Sequence, residues 1–400
     1  MGAEVKKMLL QFRVKNFKSI GDEIVVDFVA GKGREHAHFL IVKNGVRVLP
    51  SVVFYGANAS GKSNIVQAMT YMLGNIANSA AIAIAKENLV IPFLFDEMAS
   101  KEPTEMELFV ALDGYEYQYG YIVEKKVVLG EWLWRKKLSN RATKEEMIFE
   151  RHGEDITFGE DFEAYAKYAE LKSENILSVS ILGHLSDMEG SIFTLLTWAF
   201  RSYEITNPSS MMRSEMLAIY LENETLRLNA LQFIQEFDPN IENITINEEQ
   251  NTEGETRYRA FTWHNGKAYP LEIESTGTQK LFNLYLTIFI ALNSQQSTLI
   301  FDELDTYLHP LIIRRILGMF HNKEINKMES QLITTSHNLI AMNKNDLRRD
   351  QIWLVEKDER GFTDTYSLSS FIAKGNGQYE KDYLAGKFGA IPYANMGGGR

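Results

Sequence analysis

The sequence predicts an α/β fold: a mixed sheet core with an antiparallel β subdomain, interrupted by a helical insertion. Three stretches carry that expectation. "SVVFYGANASGKSN" is an apolar strand, a glycine-bounded loop and the start of a helix; "STLIFDE" is an apolar strand that ends on two carboxylates; and helix-spaced apolar residues fill the chain between them. The chemistry-bearing stretches lie in the outer parts of the chain, so one folded unit is expected to assemble from both ends.

The first third reads as strands in "LLQFRVKNF", "EIVVDFV", "HFLIV" and "RVLPSVVFYG", followed by a helix over "KSNIVQAMTYMLGNIANSAAIAIA". "TEMELFVAL", "YEYQYGYIVE" and "VVLGEWLWRKKL" alternate as strands, joined by DG and EKK turns. Their Tyr and Trp residues are expected to pack across strands, the alternative being an aromatic surface that stacks bases. Apolar residues at three- and four-residue spacing in "FEAYAKYAELK", "GSIFTLLTWAFRSYE" and "RSEMLAIYLENETLRLNALQFIQEF" predict helices, with Pro208 and Pro239 as punctuation. Strands return at "IENITINEEQ", "RYRAFTWHNG" and "LEIES", then a long helix leads to "STLIFDE". The expected division is 1–160 for an N-terminal lobe, 161–238 for the helical insertion and 239–400 for a C-terminal lobe.

Composition bounds the partners. The 400 residues are 45% hydrophobic and 24% charged, an ordinary globular balance, and no apolar run is long enough to span a bilayer. The start, "MGAEVKKMLLQFRVKNF", lacks the apolar stretch of a signal peptide. Met8 is one candidate for the native start, with the residues before it and the closing "GGGR" as additions. There is no cysteine, which rules out disulfides and thiolate zinc and fits a cytoplasmic location. A net charge of −11 argues against a broadly basic nucleic-acid surface, leaving open a local groove formed in an oligomer.

"GANASGKS" fits G-x-x-x-x-G-K-[ST] through Gly56, Gly61, Lys62 and Ser63. Asn58, Ala59, Ser60 and Asn64 complete the loop and its continuation. Such a loop turns its N–H groups inward around phosphate oxygens, and the helix that follows adds the positive end of its dipole. Lys62 is placed to reach the β- and γ-phosphates of ATP, and the Ser63 hydroxyl to ligate Mg²⁺. Asp302, at the end of the second apolar strand, is the candidate for the carboxylate beside that Mg²⁺. Glu303 is the candidate general base that polarises the attacking water. A third apolar strand, "QLITTSHN", ends at Ser336-His337, and His337 is placed to sense a γ-phosphate. Ser275 and Gly277 open the long helix of "ESTGTQKL" and make a second anion site. One chain then holds two phosphate-binding helix starts but one lysine-bearing loop. A symmetric dimer resolves this, with Ser275 and Gly277 of one copy closing over ATP held by Lys62 of the other.

The ordered set "GANASGKSN", "ESTGTQKL", "LIFDELDTYLHP" and "TTSHN" resembles the Walker A, signature, Walker B/D-loop and His-switch segments of ABC-type P-loop ATPase heads of the RecF/SMC/OLD-like branch. "FRVKNFKSIGDEIVVDF", "GKSN" and "YLAGKFGAIP" more narrowly resemble stand-alone RloA-like ATPases of bacterial abortive-infection and anti-phage systems. The resemblance covers essentially the whole chain. It implies that Lys18 and Ser19 of "NFKSI" lie near the nucleotide and that Leu308-His309-Pro310 sit at a dimer seam. The signature reads S-T-G-T, so its register points to Ser275 or to Thr276. "ILSVSILGHLS", where a Q-loop glutamine is expected, offers none.

The resemblance implies an ATP-hydrolysing switch in defence, dimerising on ATP or forming a higher oligomer, and controlling a separately encoded nuclease or toxin. The alternative is a RecF-like DNA-binding ATPase of repair or recombination. A third reading, an ATP-binding scaffold without turnover, has no need of Glu303. The tail "GNGQYEKDYLAGKFGAIPYAN" reads either as a partner contact or as a surface loop with a packed terminal helix.

Overall fold

The computed structural model describes residues 7–85, 90–139, 141–171, 173–185, 190–206, 214–250, 256–293, 297–371 and 378–392. Residues 1–6, the closing GGGR and both ends of the 375–395 tail, on which some of the readings above fall, lie outside the described residues.

Ser51–Tyr55 is buried at every position, as a parallel strand covered on both faces must be. It lies third in a five-stranded sheet ordered Thr298–Phe301, Gln331–Thr335, Ser51–Tyr55, Ile352–Lys357, Thr363–Ser367. The first four strands are parallel and the last is antiparallel to its neighbour. Thr334 and Ile352 both sit opposite Val53, so partners about 300 residues away in sequence hold this strand on its two sides.

The two-residue period of the strands divides the core. Val52, Phe54, Ile300, Ile333, Trp353 and Val355 face one way and pack with the helix Lys62–Ala85 and the antiparallel sheet. Val53, Tyr55, Leu299, Leu332, Ile352 and Leu354 face the other way, onto the helices Thr276–Asn293 and Pro310–His321. The expected α/β class, a mixed sheet with an antiparallel β subdomain, is the fold observed. The antiparallel sheet has seven strands, ordered Asp155–Phe158, Glu145–His152, Val127–Lys137, Tyr115–Glu124, Thr104–Leu112, Met8–Lys15, Ile24–Asp27. Its aromatic residues pack across strands: Tyr117, Tyr119 and Tyr121 are buried, and Trp132 lies over Gly120, where a Cβ would stand 2.3 Å from the indole.

Three local expectations differ from the structure. Glu160–Leu171 is a 3₁₀ stretch, not an α-helix. Phe162, Tyr165, Tyr168 and Leu171 recur every third residue, which matches three residues per turn and aligns the three rings on one core-facing edge. "LEIES" is no strand, because the ladder closes at Pro270, opposite Phe261, and Leu271–Ile273 turns as 3₁₀. The long helix expected around 213–237 breaks at Asn223, whose side chain accepts from the Leu226 N–H at 3.0 Å and caps a second helix, Glu224–Gln235, after Ser214–Glu222.

The short helix Ser178–Gly183 and the helix Ser191–Thr206 pack on Lys62–Ala85, with Trp198 fully buried. Ser214–Glu222 and Glu224–Gln235 pack with the three-stranded sheet Asn243–Gln250, Thr256–His264, Lys267–Pro270 or with the helix Thr276–Asn293. Among the described residues no helix is long and apolar enough to cross a membrane.

Candidate active site

The loop after Ser51–Tyr55 has no room for side chains at its glycines. A Cβ on Gly56 would lie 2.2 Å from the Val355 carbonyl oxygen. Gly61 has φ of 109°, and a Cβ there would meet the Thr363 hydroxyl at 1.9 Å. Ala59, with φ of 63°, adds a second left-handed residue to the loop, and the Ser60 N–H closes a turn onto the Ala57 carbonyl at 3.3 Å. The Lys62 ammonium is drawn back over the loop, donating to the Gly56 and Ala57 carbonyls at 2.9 Å each. Burial lowers its pKa, and the carboxylates of Asp302, Glu303 and Asp305 oppose that shift.

The parallel register brings the distant strand ends to this loop. Ser63 Oγ donates to Asp302 Oδ1 at 3.1 Å across 239 residues of sequence. Thr335, at the end of the neighbouring strand, donates its hydroxyl to the same Asp302 oxygen at 2.7 Å and accepts the Glu303 N–H at 2.7 Å. Glu303 has φ of 49°, a conformation unusual for a non-glycine residue. It is pinned at both backbone ends and at the side chain. Its N–H meets Thr335, its carbonyl accepts from Lys280 Nζ at 3.3 Å, and its Oε2 accepts from Thr306 Oγ1 at 3.0 Å. His337 Nε2 lies 3.7 Å from Glu303 Oε1, and both side chains reach solvent.

Two residues absent from the sequence reading organise this turn. Asp305 Oδ2 accepts from Ser336 Oγ at 3.0 Å, from the His337 N–H at 2.9 Å and from the Asn338 N–H at 2.8 Å. It thus ties the carboxylate turn to the histidine turn. Lys280 also donates to the Leu304 and Thr306 carbonyls at 3.2 and 2.8 Å. Burial lowers the Lys280 pKa, and Asp305 and Glu303 oppose this. Ser275 caps its helix by accepting the Thr278 N–H at 3.1 Å, and a Cβ on Gly277 would lie 3.0 Å from the Tyr307 carbonyl oxygen. Thr276 is the first residue of that helix.

An open cleft of about 580 Å³ gathers Lys18, Ser19, Asn58, Ala59, Ser60, Gly61, Lys62, Ser63, Asn64, Glu303 and His337 along its walls. Ser275 and Gly277 do not line it. Asn64 Nδ2 donates to Ser19 Oγ at 2.6 Å, and Ser19 Oγ lies 2.6 Å from Thr363 Oγ1. Thr363 in turn donates to the Ser60 carbonyl at 3.1 Å, so this row braces the loop from behind. The Lys18 ammonium donates to Gln67 at 2.7 Å. From the tail, Ala390 accepts the Ala57 N–H at 3.1 Å, and Tyr383 is buried. This part of the tail is therefore packed against the loop.

The residues fit a phosphate chain with a hard divalent cation. Ser60 Oγ is buried with no hydrogen-bond partner, inside a glycine cradle that a Cβ would fill. The two side chains that meet beside the loop, Ser63 and Asp302, offer oxygens, the donors a hard cation takes. Among the described residues no group of three or more His, Cys, Asp or Glu forms a metal cage. Mg²⁺ suits such a place, because it takes one or two protein oxygens and completes its shell with phosphate and water.

Residues 51–343 match the family model described as "AAA domain, putative AbiEii toxin, Type IV TA system". No curated protein matches the chain. Among solved structures, an SMC head bound to the C-terminal winged-helix domain of ScpA matches at 17% identity and TM-score 0.43, covering 90% of this chain and 97% of that one. An SMC head domain from Thermotoga maritima matches at 15% identity and TM-score 0.42, covering 90% and 98%. A Pyrococcus furiosus SMC head with an extended coiled coil, bound to the C-terminal domain of ScpA, matches at 14% identity and TM-score 0.45, covering 95% and 99%.

Proposed function

The chain belongs to the AbiEii-type AAA-domain family, and from that membership and the site geometry we propose that it is an Mg²⁺-dependent ATPase acting as a switch in abortive infection. The observation that carries this reading is the convergence of Ser63, Asp302 and Thr335 at one end of the parallel sheet. Bound Mg²⁺ would neutralise charge developing on the terminal phosphates. Backbone amides of 58–63 cradle the phosphate oxygens and Lys62 leaves its loop carbonyls to meet them. Ser63 and Asp302 would hold the cation. Glu303, fixed by Thr335 and Lys280, accepts a proton from the attacking water. His337 donates a hydrogen bond to the terminal phosphate.

Ser275 and Gly277 lie outside their own cleft, which supports their use in trans by a second copy across a composite site. The exposed Ile273, Tyr307 and Leu311 beside this helix start and carboxylate turn supply apolar surface for such a contact. ATP then joins two copies, and for the pair to switch it must favour the closed state by about 5 kcal/mol. The output we infer is control of a separately encoded nuclease or toxin; the family description, a putative toxin of a toxin–antitoxin system, supports the broader link to such systems.

Glu303→Gln tests this reading. The variant should bind ATP at the parent affinity, stall turnover by at least about a hundredfold and accumulate ATP-dependent dimers in sedimentation velocity. Lys62→Ala should lose ATP binding. A Glu303→Gln protein that stays monomeric with ATP, or hydrolyses at the parent rate, overturns the proposal.

A further inference from the structure

One wall of the cleft is not accounted for by phosphate chemistry. Besides the cradle residues, the cleft is lined by Ile91, Pro92, Leu94 and Phe95. Phe95 is 91% exposed and Leu94 63% exposed, although both are large apolar side chains. An exposed pair of this kind, rimmed by polar groups, marks a binding surface more often than a scattered hydrophobe does.

The backbone of this wall is fixed. Ile91 O accepts the Lys18 N–H at 2.8 Å, and the Phe93 N–H donates to the buried Asn16 Oδ1 at 2.9 Å. The Phe93 ring turns inward, edge-on to Phe362 at 4.5 Å, while the Phe95 ring touches Phe93 edge-on at 5.7 Å and stays at the surface. A rigidly anchored segment thus presents one free aromatic face beside a phosphate cradle. Orienting it this way costs little on binding, because the segment is ordered beforehand.

We propose that Phe95 and Leu94 form the nucleobase platform of this cleft, and that the platform accepts a purine by its face and does not read its edge. The proposal rests on the ATP-binding reading above. Ile91, Pro92, Leu94 and Phe95 carry no side-chain donor or acceptor to distinguish an adenine edge from a guanine edge. Of the polar groups that line the cleft with them, Ser19 and Asn64 bond each other and Lys18 bonds Gln67, while Asn58 belongs to the phosphate loop and Lys357 is a cation on a flexible stem whose hydrogen bond N7 of either purine can accept. Stacking alone tolerates any base with a π face. Sites that hydrogen-bond a substrate group reject analogues lacking it by about 10⁴-fold or more, and this wall has no side chain for that.

Equilibrium titration of the whole chain with ATP, GTP and inorganic tripolyphosphate, each with Mg²⁺, tests the platform. The parent protein should bind ATP and GTP within about tenfold of each other. Phe95→Ala should weaken both nucleotides by about tenfold to a hundredfold and leave tripolyphosphate within about threefold. Phe95→Trp should restore nucleotide affinity. Since Phe95 is exposed, neither change threatens folding. Three outcomes overturn the platform: GTP bound more than a hundredfold weaker than ATP, Phe95→Ala without effect on nucleotides, or an equal loss of tripolyphosphate. A parent protein that binds neither ATP nor tripolyphosphate overturns the phosphate-cradle reading itself, which separates that failure from one confined to Phe95.

Discussion

Replacing Thr335 with valine removes a single hydroxyl and keeps the shape of the strand end. That hydroxyl donates to Asp302 Oδ1 and accepts the Glu303 N–H, both at 2.7 Å, and the residue is fully buried. A hydrogen bond to a charged group contributes about 1.5–3 kcal/mol, but Asp302 is exposed and water replaces much of that. The Glu303 N–H belongs to a residue in a left-handed conformation and loses its acceptor, at a further cost of about 1 kcal/mol. The expected total is about 2 kcal/mol. Urea denaturation should show a lower midpoint with an unchanged slope. Turnover should fall further than stability does, because Asp302 and the candidate base Glu303 are released together. A displacement of about 1 Å of a reacting group costs about a hundredfold. ATP affinity should stay within a few-fold, since the Lys62 loop is untouched, and Thr335→Ser should restore turnover. A valine variant with the parent midpoint and the parent rate would refute the view that Thr335 positions both carboxylates.

Gly61→Ala should cost at least about 2 kcal/mol in chemical denaturation, because φ of 109° and a contact of 1.9 Å with Thr363 leave alanine no relaxed position; unaltered stability would contradict the cradle geometry. His321 gives a pH prediction. Burial, with help from His36 and His38, lowers its pKa to about 3, so the folded protein keeps the ring neutral between Ser51 and Gln351. The unfolded chain protonates it below about pH 6.5. Its contribution is therefore full above pH 6.5 and lost as pH falls toward 3, at about 1.4 kcal/mol per unit well inside that window. Denaturation of the parent and of His321→Leu between pH 7 and 5 should show a shallower slope in the variant, and equal slopes would refute it.

The local signals in the sequence were sufficient where one strand carries its own meaning. Ser51–Tyr55 with its glycine loop, and Thr298–Phe301 ending at Asp302-Glu303, need only a buried apolar run and the residues after it. Thr335 was visible within "TTSHN" but had no role there, because its bond to Asp302 depends on the parallel register that sets Phe301 beside Thr334. Asp305 and Lys280 were hidden for the same reason, since an acidic residue in a turn and a lysine in a helix look solvated until their partners are placed. Phe95 sits in "IPFLFDEM", where apolar residues suggest core, and only the fold shows that Phe93 takes the core position and leaves Phe95 outside. The 3₁₀ stretch Glu160–Leu171 shows how a three-residue repeat is mistaken for part of a 3.6-residue pattern.

The strand Ser51–Tyr55 has one further consequence, for synthesis. Its two hydrogen-bonding neighbours begin at Gln331 and Ile352, so nothing completes its edges until most of the polypeptide has left the ribosome. At translation speeds of about 5–20 residues per second the wait lasts tens of seconds. During it a run of Val, Val, Phe and Tyr is an unpaired template for neighbouring nascent chains. Overproduction at high temperature should therefore yield inclusion bodies nucleated by this segment, and slower, colder expression should favour native protein.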